Sequence, residues 1–322
     1  MTISSKPKYL FGPVHSRRLG LSLGIDVVPM KTCTYSCIFC QLGRTMRQTI
    51  TRKEYVPAAG VMKELAEYLE QGGTADYLTF SGSGEPTLHN KLGKMIAQAK
   101  QISTIPVAVL TCGALLFDSQ IRMELAQADV VLPSLNAISP DTFRLINRPH
   151  GKLPIAWIIE GLTKFRREYN GQLWLEIMLV KGMNDHPEEI AALRATIAEI
   201  KPEKVHLNTV VRPPAETGAA ALSDAELRAI AAELGPLAEV IAESPVASKS
   251  PAQHRLHPEL VDLIARHPAT LEQIVECLHD QPEQIQFALD SLVAARRIQM
   301  RHHQGKHYYT AASEMKASNN HS

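Results

Sequence analysis

From about residue 20 to residue 242 the chain alternates short apolar, β-branched runs with stretches of helical periodicity. Gly20–Val28, Asp76–Ser81, Pro106–Thr111, Asp129–Leu135, Gln172–Leu179 and Lys204–Val210 read as strands. The segments between them are amphipathic. The clearest carries Ile155, Ile158, Ile159, Leu162 and Phe165 at offsets that fall on one helix face. Strands separated by helices imply right-handed crossovers and a parallel sheet, so the expected fold class is α/β. Six such units suit either an open doubly wound sheet or a partial barrel, and periodicity alone does not separate the two.

Glu243–Gln253 (ESPVASKSPAQ) has no periodic apolar face and reads as a linker. The grammar then changes. Leu260, Leu263 and Ile264 mark a short helix. Thr270 and Gln273 have the spacing of a capping box ahead of a helix through Ile274, Val275 and Leu278. Pro282 suits the first turn of a third helix bearing Ile285, Ala288, Leu289, Leu292 and Val293. Ile298–His302 and Lys306–Thr310 flank Gln304-Gly305 as a β-hairpin would. The expected organisation is a large domain over 1–242, a linker over 243–253, a small winged helix-turn-helix-like domain over 254–312, and a disordered tail over 313–322.

A length of 322 residues agrees with one large and one small domain. Lys and Arg (34) nearly balance Asp and Glu (33), which excludes a chain basic over its whole surface. The N-terminal stretch lacks an apolar core of signal-peptide length, and no run of about eighteen apolar residues follows. The expectation is a cytoplasmic protein without a membrane partner, its thiols kept reduced.

Three of the five cysteines lie in Cys33-Thr-Tyr-Ser-Cys37-Ile-Phe-Cys40, a C-x3-C-x2-C spacing. Thiolates ligate iron–sulfur clusters, and a four-iron cubane normally takes four of them. A loop offering three leaves one iron open to an external chelator, a catalytic arrangement rather than a storage one. A structural zinc knot completed by a histidine is the alternative, although zinc knots more often pair two C-x2-C hooks.

With Phe39 before the third cysteine, the motif resembles the signature of the radical S-adenosylmethionine (SAM) superfamily. The resemblance covers roughly residues 9–215 and implies a partial (β/α)6 barrel. GPVHSRRLGLSLGID followed by KTCTYSCIFCQLGRT is most similar to iron–sulfur oxidoreductases related to wyosine-type tRNA-modifying synthetases. It further implies a cluster on Cys33, Cys37 and Cys40, and SAM contacts at Phe39, Ser83, Gly84 and Glu85. Those last three belong to Ser81-Gly-Ser-Gly-Glu-Pro86, where Ser83 replaces the first glycine of the family's Gly-Gly-Glu-Pro element. Ser134 and Asn136 match positions that contact the SAM ribose and carboxylate, although many members carry Asp in place of Asn136. Met178 or Leu179 would pack on adenine.

Cys112 stands where related sequences read Asn. It is either a small buried residue or a cavity thiol that donates a hydrogen atom or meets substrate. Cys112, Lys181 and Arg212 are the candidates for catalysis, with Asn208 also able to face substrate; a solvated rim is the plain alternative for the charged ones. The implied chemistry is reductive cleavage of SAM to a 5′-deoxyadenosyl radical, fed by a reduced donor such as flavodoxin or ferredoxin. Cys112 and Cys277 fall in different predicted domains and cannot supply a second cluster. One [4Fe–4S] cluster is therefore expected, which disfavours wyosine-type synthesis itself.

Arg296, Arg297, Arg301 and Lys306, interleaved with His302, His303 and His307, make the hairpin locally basic, and Tyr308 and Tyr309 follow as bases' stacking partners. Against this, the preceding helices carry Glu259, Asp262, Glu272, Glu276, Asp280, Glu283 and Asp290. The expected function is a radical SAM enzyme modifying RNA, with tRNA first and a protein or peptide next. The alternative is a cluster-based redox regulator that binds DNA through the winged helix without turnover.

Overall fold

The structure is a computed structural model that describes residues 9–241, 256–278 and 281–312; the expected linker and tail lie outside these residues. The chain opens on a hairpin, β1 (Leu10–Ser16) and β2 (Gly20–Ile25). Two-residue strands β3 (Thr32–Cys33) and β4 (Arg47–Gln48) then pair in parallel across the cysteine loop. α1 (Ala58–Glu70), β5 (Tyr77–Phe80), a 3₁₀ turn at Pro86–Leu88, α2 (Leu92–Ile102) and β6 (Val107–Thr111) follow. Next come α3 (Ser119–Leu125), β7 (Val130–Pro133), α4 (Pro140–Asn147), α5 (Ile155–Glu168) and β8 (Gln172–Leu179). α6 (Pro187–Ile200), β9 (Lys204–Thr209), α7 (Asp224–Leu234) and β10 (Ala238–Val240) complete the sheet-forming part.

The sheet runs β1-β2-β5-β6-β7-β8-β9-β10. β1 is antiparallel to β2, and every later pairing is parallel. The parallel strands follow chain order with no reversal, which excludes the doubly wound alternative, where the order turns back at a switch point. The two faces agree. One face gives Leu23, Leu78, Val109, Val131, Ile177 and Leu207 to a core shared with the helices. The other brings Ala108, Val130, Leu132 and Trp174 together around Leu19, from the β1–β2 turn, with no helix among them. A sheet that meets its own strands on one face is curled into an open barrel with its helices outside. All six expected strands are present. β1 and β10, both absent from the sequence reading, add an edge at each end.

Helix α5 buries Ile155, Ile158, Leu162 and Phe165, as its spacing predicts. The C-terminal part consists of α8 (Leu256–Arg266), α9 (Leu271–Leu278) and α10 (Pro282–Ala294), then β11 (Ile298–His303) paired antiparallel with β12 (Lys306–Ala311). Its own core contains Leu260, Ile264, Ile274, Ile285, Leu289, Ile298 and Tyr309. The capping box forms: Thr270 N–H donates to Gln273 Oε1 (3.2 Å), and Gln273 N–H to Thr270 Oγ1 (3.4 Å). Gln304 and Gly305 both take positive φ, which gives the tight hairpin turn.

These C-terminal elements join β1 to the segment that follows β9. Helices α8 and α9 pack on β1. The hairpin meets the end of β9, where His303 Nε2 and Gln304 Nε2 both bond Val210 O and the Tyr308 hydroxyl donates to Val211 O at 3.0 Å. Tyr308 and Tyr309 are 1% and 5% exposed, so neither offers a ring to a nucleic-acid base, contrary to the sequence expectation. Among the described residues no helix is long and apolar enough to cross a membrane.

Candidate active site at the strand ends

The cysteine loop lies over the C-terminal ends of the parallel strands, the side of such a barrel where loops gather functional groups. Cys33, Cys37 and Cys40 are free and half-buried. Two of them already receive donors. Lys31 Nζ reaches Cys40 Sγ at 3.1 Å, and Asn147 Nδ2 reaches Cys37 Sγ at 3.4 Å. Lys31 and Asn147 are almost wholly buried, and Asn147 Oδ1 has no hydrogen-bond partner. Burial, reinforced by Cys33 and Cys40, pushes the Cys37 thiol above its ordinary range. A hydrogen bond with Cys112 holds Cys33 below its own, against burial. Bound iron would offset the cost of burying thiolates, because a metal is the largest local charge in such a site. N–H donors aimed at the sulfurs are the outer-shell support that cluster thiolates use. Among the described residues no three His, Cys, Asp or Glu side chains converge closely enough to hold a single metal ion. Three thiols on one loop, two of them facing N–H donors, fit the three protein ligands of such a cluster.

The Ser81–Pro86 loop is joined to the cysteine loop. Lys31 N–H donates to Ser83 O at 2.7 Å, and Glu85 N–H donates to Thr32 O at 3.1 Å. Gly84 permits this approach, since a Cβ there would overlap Thr32 O at 1.8 Å. The Glu85 carboxylate is 1% exposed and bound to the scaffold. It accepts from Thr87 N (3.0 Å), Thr87 Oγ1 (2.6 Å), Thr111 Oγ1 (2.6 Å) and Cys112 N (2.7 Å), which ties the loop to the end of β6. Cys112 Sγ lies 2.9 Å from Thr34 Oγ1, against the cysteine loop. Burial raises its pKa well above the ordinary thiol range, with Cys33 and Glu85 adding.

The other expected residues separate into two groups. Ser134, half-buried at the end of β7, bridges to Glu176 through the backbone. Asn136 Oδ1 accepts from Met178 N at 2.8 Å and so extends the β7–β8 contact. Asn184, fully buried and unforeseen, donates to both Asn136 O and Met178 O. Met178 shares the inward face with Trp174 and Glu176. Leu179, one residue on, is fully buried on the helix side, because strand alternation turns it away from the mouth. Phe39 packs at the edge of the helix-side core. Lys181 is outside the site: its ammonium pairs with Glu226 at 2.9 Å on the exposed start of α7. Arg212 lies at the seam between barrel and C-terminal elements, bonding Gln41 Oε1 at 3.2 Å and His267 Nε2 at 2.9 Å. It lines a small cavity there with His15, Arg17, His267, Cys277 and Tyr308.

Below the mouth the barrel interior carries a charged layer that the sequence reading did not find. Arg18 and Glu176 form a close ion pair, and Asn208 donates to Glu176 at 3.3 Å. Burial alone would raise Glu176, but Arg18 outweighs it and holds the carboxyl below the usual range. Asn208 is thereby committed inside the barrel.

Comparison with known proteins agrees with this architecture. The Radical SAM superfamily model matches residues 27–194. A UPF0026 protein of Helicobacter pylori strain J99 is 32% identical over 82% of this chain and 86% of its own length. A Brachyspira hyodysenteriae protein named GTPase Obg is 36% identical over 91% of this chain, which spans only 44% of that relative. A crystal structure of a radical SAM methyltransferase from Sphaerobacter thermophilus superposes with a TM-score of 0.51 at 19% identity, over 68% of this chain and 66% of that one, a likeness of fold alone. An α/β barrel with three cysteines on its first loop defines a class of iron–sulfur proteins. Within that class, the chain belongs to the radical SAM superfamily, which uses a [4Fe–4S] cluster and S-adenosylmethionine.

Proposed function

We propose that this chain is a radical SAM enzyme whose single cluster is held by Cys33, Cys37 and Cys40. The observation that carries the reading is the set of three half-buried thiols on one loop, two with N–H donors directed at sulfur. When bound, the cluster and SAM supply an electron and a 5′-deoxyadenosyl radical for hydrogen abstraction. The chain's own residues position and enclose. Lys31 and Asn147 orient sulfur ligands, Gly84 lets the SAM loop approach the cysteine loop, and Ser134 contributes a polar group at the mouth. The adenine contact falls to Met178. Leu19 and Trp174 close the opposite end of the barrel to water. Arg212 acts at the seam, and Lys181 takes no part.

The C-terminal elements form a winged-helix-like domain that recruits the substrate, with RNA the first class and a peptide the second. Support for RNA comes from the exposed Arg296, Arg297, Arg301 and Lys306. The buried tyrosines contribute nothing to it. A DNA-binding regulator without turnover is disfavoured because a mere sensor has no need of the Gly84-Glu85 element held against the cysteine loop.

Anaerobic reconstitution with iron and sulfide, then reduction in the presence of SAM, tests the reading. Four irons per chain and formation of 5′-deoxyadenosine are expected. Bound zinc, or intact SAM under strong reduction, overturns it. Retention of total tRNA on a filter, reduced in an Arg297→Glu/Arg301→Glu variant, tests the substrate class.

A further inference from the structure

Ser83 occupies a position where the resemblance expects glycine, and its surroundings account for the difference. Its amide donates to Asp26 Oδ1 at 3.1 Å, and its hydroxyl makes a short bond to Asp26 Oδ2. The loop passes directly over that carboxylate. Gly82 has φ +140°, and a Cβ there would stand 2.7 Å from Asp26 Cγ. The loop that approaches the cysteines on one side therefore rests on Asp26 on the other.

Asp26 is 5% exposed, and a carboxylate that deep stays ionised only with a cation and hydrogen-bond donors around it. The cation comes from the other part of the molecule. Arg266, in the last turn of α8, places Nε 3.2 Å from Asp26 Oδ2 and donates from Nη1 to Leu10 O at 3.2 Å. Its guanidinium lies 5.8 Å from the Phe11 ring centre. Burial pushes the Asp26 carboxyl upward, while Arg266 and the Ser83 donors pull it down. The net effect is upward, and without Arg266 the largest pull against burial is lost, which leaves the carboxylate that holds the Ser83 amide and hydroxyl without its counter-charge.

We propose that Arg266 is a positioning residue for SAM: by neutralising Asp26 it fixes the Gly82–Glu85 turn, so that seating of α8 on β1 and binding of SAM at the mouth strengthen each other. The proposal rests on the reading that this loop holds SAM. Coupling of this kind is reciprocal, so SAM also tightens the seating of the C-terminal elements. A substrate held by those elements would thereby favour SAM binding.

Two measurements on the full chain test it. The first is hydrogen exchange at the Ser83–Glu85 amides without cluster or SAM, comparing the natural protein with Arg266→Gln. Faster exchange there, with the β6–β8 amides unchanged, is expected; equal exchange overturns the proposal. The second is SAM affinity of the reconstituted protein by equilibrium dialysis. Arg266→Gln is expected to weaken it about tenfold, with a matching rise in the SAM KM and an unchanged maximal rate. Faster exchange with unaltered SAM affinity also overturns it, and places the failure in the assignment of the loop to SAM. If Arg266→Gln does not fold, Arg266→Lys serves, because it keeps the charge and loses the fork to Leu10 O. Because the charge facing Asp26 is kept, it is expected to stay close to the natural protein in both measurements, and faster Ser83–Glu85 exchange with a loss of SAM affinity of about tenfold overturns the proposal.

Discussion

The two ends of the barrel interior are built from the same strands and do opposite work. At the end where the strands begin, Leu19, Ala108, Val130, Leu132 and Trp174 pack into an apolar plug. At the end where they finish, thiols, carboxylates and amides replace them, and each is held by named partners: Cys40 by Lys31, Cys37 by Asn147, Glu85 by Thr111 and Cys112, Asn136 by Met178. Between them lies the Arg18–Glu176 pair. Side-chain alternation is identical along the strand, so position relative to the mouth, and not exposure pattern, separates stability from chemistry.

Substitutions at the two ends should therefore fail differently. The largest effect belongs to the mouth. Replacing Cys33, Cys37 or Cys40 by Ala is expected to abolish both cluster absorbance and SAM cleavage while leaving the thermal midpoint of the cluster-free protein nearly unchanged. A variant that keeps both signals breaks the ligand assignment. In the plug the expectation reverses. Leu19→Ala, at a site 2% exposed, should cost about 2–5 kcal/mol in denaturant unfolding while cluster content per folded chain stays the same. Glu176→Gln, in the layer between, should cost roughly 2–3 kcal/mol by leaving Arg18 without its counter-charge. That is below the full penalty for a buried pair, because the two side chains keep 16% and 15% exposure.

A smaller effect comes from the seam. Burial, with Arg212, Arg17 and Arg18 facing it, holds His267 well below its ordinary 6.5. A lowered histidine stabilises the folded form above the unfolded value and loses that stability as pH falls. Below pH 6.5 the unfolding free energy should decline by at most about 1.4 kcal/mol per pH unit from this group. Thermal melts of His267→Gln should lack that component; an identical slope would remove His267 as its source. The smallest effect is expected at Cys277, whose thiol burial pushes up to about 11. Cys277→Ala should leave iron content and SAM cleavage as they are, and loss of either would place this thiol in the site.

What could be read from the sequence follows the same division. The six parallel strands announced themselves because each is a local apolar run, and the cysteines because their spacing is local too. β1 was missed for a physical reason: Gly12-Pro13 interrupts its alternation, and the register with β2 shifts between Phe11 and Val14. Tyr308 and Tyr309 were misread because consecutive strand residues face opposite ways, and one face is normally free. Here both are covered, Tyr308 by the barrel and Tyr309 by the helices beside it. The plug and the Arg18–Glu176 pair depend on how the sheet curls, which no window of sequence contains. Ser83 looked like a departure from its motif because its partner, Asp26, lies on another strand and Arg266 far along the chain.

The placing of α8 and α9 against β1 bears on how the molecule is made. β1 leaves the ribosome well before the helices that cover it, and its outer edge, including the Leu10 carbonyl, is covered by residues as far as 256 positions later in the chain. At about 5–20 residues per second that interval is roughly 10–50 s. For that time the growing chain carries an open strand edge able to pair with another nascent copy. The kink at Gly12-Pro13 limits how far such pairing can spread, because proline offers no amide hydrogen to a neighbouring strand.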